Sequence, residues 1–191
     1  MAETATRSLL GVYLGPNAAQ RVINGQFKRG TGESMHAIIW YCDLRGFTAL
    51  SEQHSAVKLV SVLDHYFECI SATIEAAGGE ILTFIGDAVL ALLQRQSEDM
   101  PELTLHAGIA LHLGDMLYGN VGGSSRLDFT VIGAAVNEVT RVEGLCKSSY
   151  PLLITKEFSQ YIKSHELASI GMRKLKGVNN PHEIFTLKQL L

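Results

Sequence analysis

The chain of 191 residues is 47% hydrophobic and 18% charged, with a formal net charge of −3. These values suit one globular domain with a substantial core, and they give no sign of a nucleic-acid or anionic-membrane surface. No run of about 18 apolar residues occurs, and the acid-bearing start MAETATRSLL lacks the apolar centre of a secretory leader, so a cytoplasmic chain without a helical membrane span is expected. Cys42, Cys69 and Cys146 are widely spaced and form no CxxC, which fits reduced packing cysteines better than a metal cluster.

Taken in order, residues 8–24 predict a short helix from Ala18 to Asn24, with Pro16 near its start and Gly25 just past its end. Lys28 to Glu33 is a polar, glycine-bearing loop, so residues 1–33 form an entry arm and residues 34–191 the domain proper. An apolar, β-rich run from Ala37 to Cys42 stops abruptly at Asp43. A tight turn through Leu44, Arg45 and Gly46 follows, and Phe47 to Glu52 opens a helical pattern. A longer helix is predicted from Ser55 to Ala77, with Val57, Val60, Leu63, Phe67, Ile70 and Ile74 as one buried stripe. His54 and His65 near this helix lack metal-ligand spacing and suit solvated or capping roles.

Glu80 to Ile85 and Ala88 to Leu93 are β-like runs separated only by Gly86 and Asp87, which predicts a tight hairpin with a carboxylate at its tip. Asp43 alone suits an N-cap or turn residue, and Asp87 alone suits the hairpin turn. On adjacent strands, however, the two would meet at one sheet edge and together hold divalent cations, with the first helical N–H groups free for phosphate oxygens.

Arg95 to Thr104 is a polar linker. Leu105 to Leu113 predicts a strand in which His106 and His112 are structural, and turns are expected from Gly114 through Gly122. Leu127 to Ile132 is a strand, and a helix begins near Ala134. Asn137 and Arg141 on that helix are four apart and share a face. They either cap and solvate a surface or grip a sugar and a phosphate. Leu152 to Thr155 predicts a strand, Lys156 to Lys163 a helix, and the tail two strands, Met172–Leu175 and Glu183–Leu187. Lys176 at the intervening turn is either solvated or a phosphate contact.

Across roughly residues 34–188 the motifs DLRGFTALS, GGEILTFIGDAVLA, LHAGIALHLGDMLYGNVG, DFTVIGAAVNEVTRVEGLC and LKGVNNPHEIFTL resemble the class III nucleotidyl cyclase catalytic domain, and their wording resembles that of bacterial adenylate cyclases. The resemblance implies an α+β, ferredoxin-like antiparallel or mixed sheet with helices mainly on one face. It implies two divalent ions, Mg²⁺ or Mn²⁺, on Asp43 and Asp87, with the Leu44 carbonyl beside one of them. Gly46, Phe47 and Thr48 then match the turn over the triphosphate. Asn137 matches the ribose-orienting residue, Arg141 the transition-state arginine and Lys176 the triphosphate lysine. It further implies conversion of ATP to 3′,5′-cyclic AMP at a homodimer interface, where the metals and the Asn/Arg helix come from different protomers.

Two departures stand out. Thr83 occupies the position where the family usually has a purine-reading lysine, and its partner position is Thr130. Two hydroxyls, each able to donate or accept, replace a cation–acceptor pair, which leaves GTP open beside ATP. The ten-residue linker also replaces a crossover helix; it can span about 33 Å extended, but would leave apolar sheet surface for a partner or the N-terminal arm to cover. An active cyclase is the leading expectation. A catalytically weak, nucleotide-binding dimerisation module is the alternative. A dinucleotide cyclase is disfavoured by VNEVTR and by the lack of a GGDEF-like hairpin.

Overall fold

The computed structural model describes residues 2–26, 28–53, 55–93, 107–122, 127–147, 149–178 and 180–191. The core of the molecule is an eight-stranded mixed sheet, and β1 (Gly32–Leu44) is one of its interior strands. Alternation along β1 sends Ile38, Trp40 and Cys42 to one face and Ala37, Ile39 and Tyr41 to the other. β1 pairs antiparallel with β3 (Ala88–Leu93) on one side and with β4 (Ala107–Gly122) on the other. β2 (Gly79–Ile85) lies outside β3; beyond β4 come β6 (Leu152–Thr155), β8 (His182–Leu187) and β7 (Leu167–Arg173). β4 and β6 form the parallel pair, and β5 (Leu127–Ile132) folds back on the far half of β4 as a ribbon.

The α+β architecture expected from the motifs is present, and its helices divide between the two faces. α4 (Ala56–Ala76), which follows the short α3 (Phe47–Gln53), sets Tyr66, Ile70 and Ile74 against the Trp40 face, joined there by Phe158 of α6 (Lys156–Ser159). α5 (Ala134–Glu143) covers the Ile39 face with Ala135, Val139 and Val142. Each large aliphatic side chain fully buried in these clusters contributes about 1.5–3 kcal/mol to stability.

Several elements depart from expectation. The arm holds two helices, α1 (Ala2–Leu14) and α2 (Pro16–Ile23), where a single one from Ala18 is expected. α2 starts earlier because Gly15 turns the chain at φ 79 and Pro16 takes the first helical position. The arm packs on the domain. Ala18 and Ala19 are buried, and the buried Glu80 carboxylate accepts hydrogen bonds from the Asn17 backbone N–H (3.2 Å) and side-chain amide (2.6 Å).

The turns expected between Gly114 and Gly122 are replaced by continuous strand. Those glycines answer to close approach: a Cβ on Gly119 would collide with the Thr31 carbonyl and Gly32, and one on Gly114 would lie 2.6 Å from the Ala135 Cβ. β1 likewise begins five residues before Ala37, because its polar first half pairs with that far half of β4. The stripe on α4 is buried only at its end. Val57 and Val60 are exposed, Leu63 and Phe67 half-buried, and only Ile70 and Ile74 reach the sheet core. The helix expected over Lys156–Lys163 closes after one turn. β7 runs Leu167–Arg173 in place of Met172–Leu175, a register fixed by its pairing with β8. The linker 95–104, His54 and His106 lie outside the described residues.

Candidate active site

Asp43, the next-to-last residue of β1, lies opposite Ala88 on β3 and Gly108 on β4. Asp87 immediately precedes Ala88 in the hairpin loop, where Gly86 supplies the positive φ of 66 that a two-residue turn needs. The two carboxylates therefore meet at one sheet edge. Burial, and then the negative charge of Asp43 beside it, hold the Asp87 carboxyl above the usual carboxylate range. Two opposed oxygen donors of this kind fit a hard divalent cation such as Mg²⁺ or Mn²⁺. No group of three or more His, Cys, Asp or Glu is assembled among the described residues, so further ligands would be the Leu44 carbonyl, water and phosphate oxygens, the usual manner of holding Mg²⁺. The chain then turns at Gly46 (φ 77) into α3, bringing half-buried Phe47 and exposed Thr48 next to the pair in sequence.

Asn137 and Arg141 lie elsewhere. With Gly177 and Val178 they line an open cleft of about 800 Å³, to which Asp43 and Asp87 do not contribute. The Arg141 guanidinium rests over the Lys176–Gly177 turn, 3.5 Å from where a Gly177 Cβ would stand. The exposed Lys176 thus flanks the same cleft. Thr83 follows a bulge in β2, is half-buried, and its hydroxyl donates a long 3.4 Å bond to the Phe84 carbonyl. β2 approaches β5, which carries the half-buried Thr130 opposite Gly119. The predicted residues thus fall into two separated groups, the aspartate edge and the Asn/Arg cleft.

Sequence reasoning passed over the groups that support these two. Arg45 reaches from the Asp43 turn to Glu143, the last residue of α5, with Nη2 donating to Glu143 Oε1 at 2.5 Å and to the Glu143 carbonyl at 3.1 Å. Burial pushes the Glu143 carboxyl up to about 7, although the Arg45 charge pulls it down. The available signal was an acid on a helix face otherwise made of Ala135, Val139 and Val142. His112 is structural as expected. It lies buried against the Thr155 hydroxyl at 2.9 Å, and burial keeps its imidazole below the usual histidine range, with Glu138 and Glu157 opposing. His65 is exposed and bonds the Ser61 carbonyl at 2.8 Å. Cys42 and Cys146 are buried, their thiols pushed up to about 11 and about 12 by burial, and Cys69 is exposed; all three are free.

Residues 32–111 match the family model of the adenylate and guanylate cyclase catalytic domain. An adenylate cyclase from Anabaena cylindrica is 31% identical over 192 residues, covering 83% of this chain and 38% of that protein. The chain belongs to the class III adenylate and guanylate cyclase family. An uncharacterized protein of Mycobacterium tuberculosis is also 31% identical, over 76% of this chain and 29% of its own length. The chain therefore spans about a third of the curated relatives it matches.

Solved class III structures share the fold. A bacterial light-regulated adenylyl cyclase superposes with a TM-score of 0.80 at 24% identity, over 99% of this chain and 63% of that one. The adenylyl cyclase CyaB from P. aeruginosa gives 0.71 at 23% identity, over 82% and 95%. Class III cyclases act on nucleotides and use divalent metal ions. No helix among the described residues of this chain is long and apolar enough to cross a membrane.

Proposed function

We propose that residues 34–191 form a cyclase domain that converts ATP to 3′,5′-cyclic AMP and pyrophosphate at sites shared between two copies of the chain, with residues 1–33 as an arm packed on it. The separation of the two residue groups carries this reading. The Asp43–Asp87 edge offers the paired carboxylates for the metals, and the Asn137–Arg141 cleft, which those aspartates do not line, offers the arginine to meet the transition state. Neither half alone holds both.

Exposed apolar residues support a second copy as the missing half. Leu117 and Ile132, register partners on the ribbon, and Phe84 and Ile85 on β2 are between 43% and 53% exposed. Apolar surface of this kind marks an association site.

Within a shared site, Asp43, Asp87 and the Leu44 carbonyl would hold two divalent ions, and Gly46, Phe47 and Thr48 would form the turn beside the triphosphate. Bound there, the ions supply positive charge at the α-phosphate and lower the pKa of the ribose 3′-hydroxyl. From the other protomer, Asn137 orients the ribose and Arg141 places a fixed positive charge where negative charge develops. Lys176 neutralises the triphosphate tail, and Thr83 and Thr130 face the purine. The 3′-hydroxyl gives its proton to solvent water, its oxygen attacks the α-phosphorus in line, and the bond from that phosphorus to the α,β-bridging oxygen breaks to release pyrophosphate.

Thr83, whose hydroxyl is turned to the backbone, favours a second reading: a guanylate cyclase or a weakly catalytic nucleotide-binding module. Purified protein incubated with ATP or GTP and Mn²⁺ or Mg²⁺ separates the two readings. Cyclic AMP is expected, with output falling about a hundredfold or more in Asp87→Ala. No product from either nucleotide, in a sample shown to be folded and dimeric, would overturn the cyclase.

A further inference from the structure

We infer that Arg45 and Glu143 form a positioning clamp that ties the aspartate edge of one active site to the Asn/Arg helix of the other. The inference rests on the shared-site reading above and extends it to residues outside the substrate-contacting set.

The geometry joins three elements at one point. Arg45 sits one residue beyond Leu44, in the turn that fixes Asp43. Its Nη2 binds both the carboxylate and the backbone carbonyl of Glu143, so one nitrogen pairs the acid and joins the Cys146 N–H (2.7 Å) on a C-terminal carbonyl of α5. Beneath them is Gly108, opposite Asp43 on β4. A Cβ there would collide with the Arg45 guanidinium and the Glu143 carboxylate, so the pair fills the space that a side chain would otherwise take. Glu143 is 4% exposed and stands among core residues of α5, where an apolar residue would pack without the desolvation cost of a charge.

α5 transmits this anchorage. Glu143 is two residues after Arg141 and six after Asn137 on one continuous helix, so Asn137 lies about 9 Å along the axis from the clamp. In a shared-site dimer the aspartates of one chain serve one site, while its Asn137 and Arg141 serve the other. Within each chain the clamp is thus a rigid link between halves of two different sites. Neither Arg45 nor Glu143 need touch substrate; they set where the touching groups stand, and small misplacements of such groups cost rate steeply.

A complementation experiment isolates that role. Asp87→Ala and Arg141→Ala chains, each inactive alone, are co-expressed; the mixed dimer holds one intact site, with aspartates from the Arg141→Ala chain. Glu143→Gln is then added to that same chain, whose α5 serves only the dead site. With assays run above the Glu143 pKa, a fall in kcat of about tenfold or more and a raised half-saturating Mn²⁺ concentration are expected. The effect can reach the intact site only through Arg45 and the metal turn. Unchanged kcat and Mn²⁺ dependence would overturn the clamp. An inactive mixture before Glu143→Gln is introduced overturns the shared site itself, and the clamp with it, by a result in which the clamp plays no part. Should Glu143→Gln fail to fold, the paired Arg45→Met/Glu143→Met chain removes both charges together and leaves no uncompensated buried ion. It is expected to melt near the parent temperature and show the same kinetic loss; a folded paired variant with parental kcat overturns the proposal.

Discussion

At the scale of single residues, the carboxylates are differentiated by their surroundings. Asp87 and Glu143 both bind their protons more tightly in the folded chain than an exposed acid does, mainly because burial disfavours the charge. For Glu143 the value rises from 4.5 to about 7. The native state therefore holds more protons than the unfolded chain between those limits, and stability falls as pH rises through that window. Melting temperature is expected to decline from about pH 4.5 to about pH 7, and Glu143→Gln should flatten much of the decline. A slope unchanged by the substitution would show that Glu143 is not its source. Thr83 sets a second residue-scale expectation. In Thr83→Lys an ammonium replaces a hydroxyl bonded to its own strand, and a charged hydrogen bond to the purine should raise kcat/KM for ATP about tenfold. Parallel kinetics with GTP would reveal whether the gain is selective.

Among the elements, the β4–β5 ribbon and the arm most need explaining. Gly119 allows Thr31 and Gly32 to press against β4, and the buried Asn120 completes the contact, its amide donating to the Gln26 carbonyl at 3.1 Å. The Arg21 guanidinium, 5.3 Å from the Tyr118 ring centroid, closes the other side of the same junction. Gly119→Ala would force backbone apart at a site with no flexible side chain to yield, at a cost of about 1–3 kcal/mol. A urea titration should show a lower midpoint with an unchanged slope. If stability is unaffected, the glycine is not there for close approach.

For the whole molecule, the decisive feature of the proposed cyclase is that one chain would hold two unlike halves of a site. Activity per chain should therefore fall on dilution through the dimer dissociation range and recover on concentration, as mass action requires. Sedimentation measured over the same range fixes the range independently. Full specific activity in a demonstrably monomeric sample would show that one chain completes a site alone. The apolar residues left exposed along β2 and the ribbon belong to the same expectation, because in the proposed dimer a partner covering them would also bring the second half-site into place.

Much of this was legible from the sequence because it is encoded locally. The aspartate at the end of an apolar run, the Gly86–Asp87 hairpin and the shared face of Asn137 and Arg141 each depend on residues within a few positions of one another. Strand alternation, helix periodicity and turn chemistry act over that range, so composition and spacing determined the sheet's central strands, α4 and α5, while the family was legible only through the resemblance of the motifs across residues 34–188. The remainder was decided by contacts between distant segments. The Gly114–Gly122 stretch reads as turns until β1 and β5 are placed against it. Glu80 reads as a polar strand residue until α2 brings Asn17 to its carboxylate. Glu143 reads as one more helix acid until Arg45, 98 positions away, meets it over Gly108. Local propensity cannot specify such pairings, since the free energy that selects them comes from burial and from satisfying buried polar groups, and both exist only once the chain has folded.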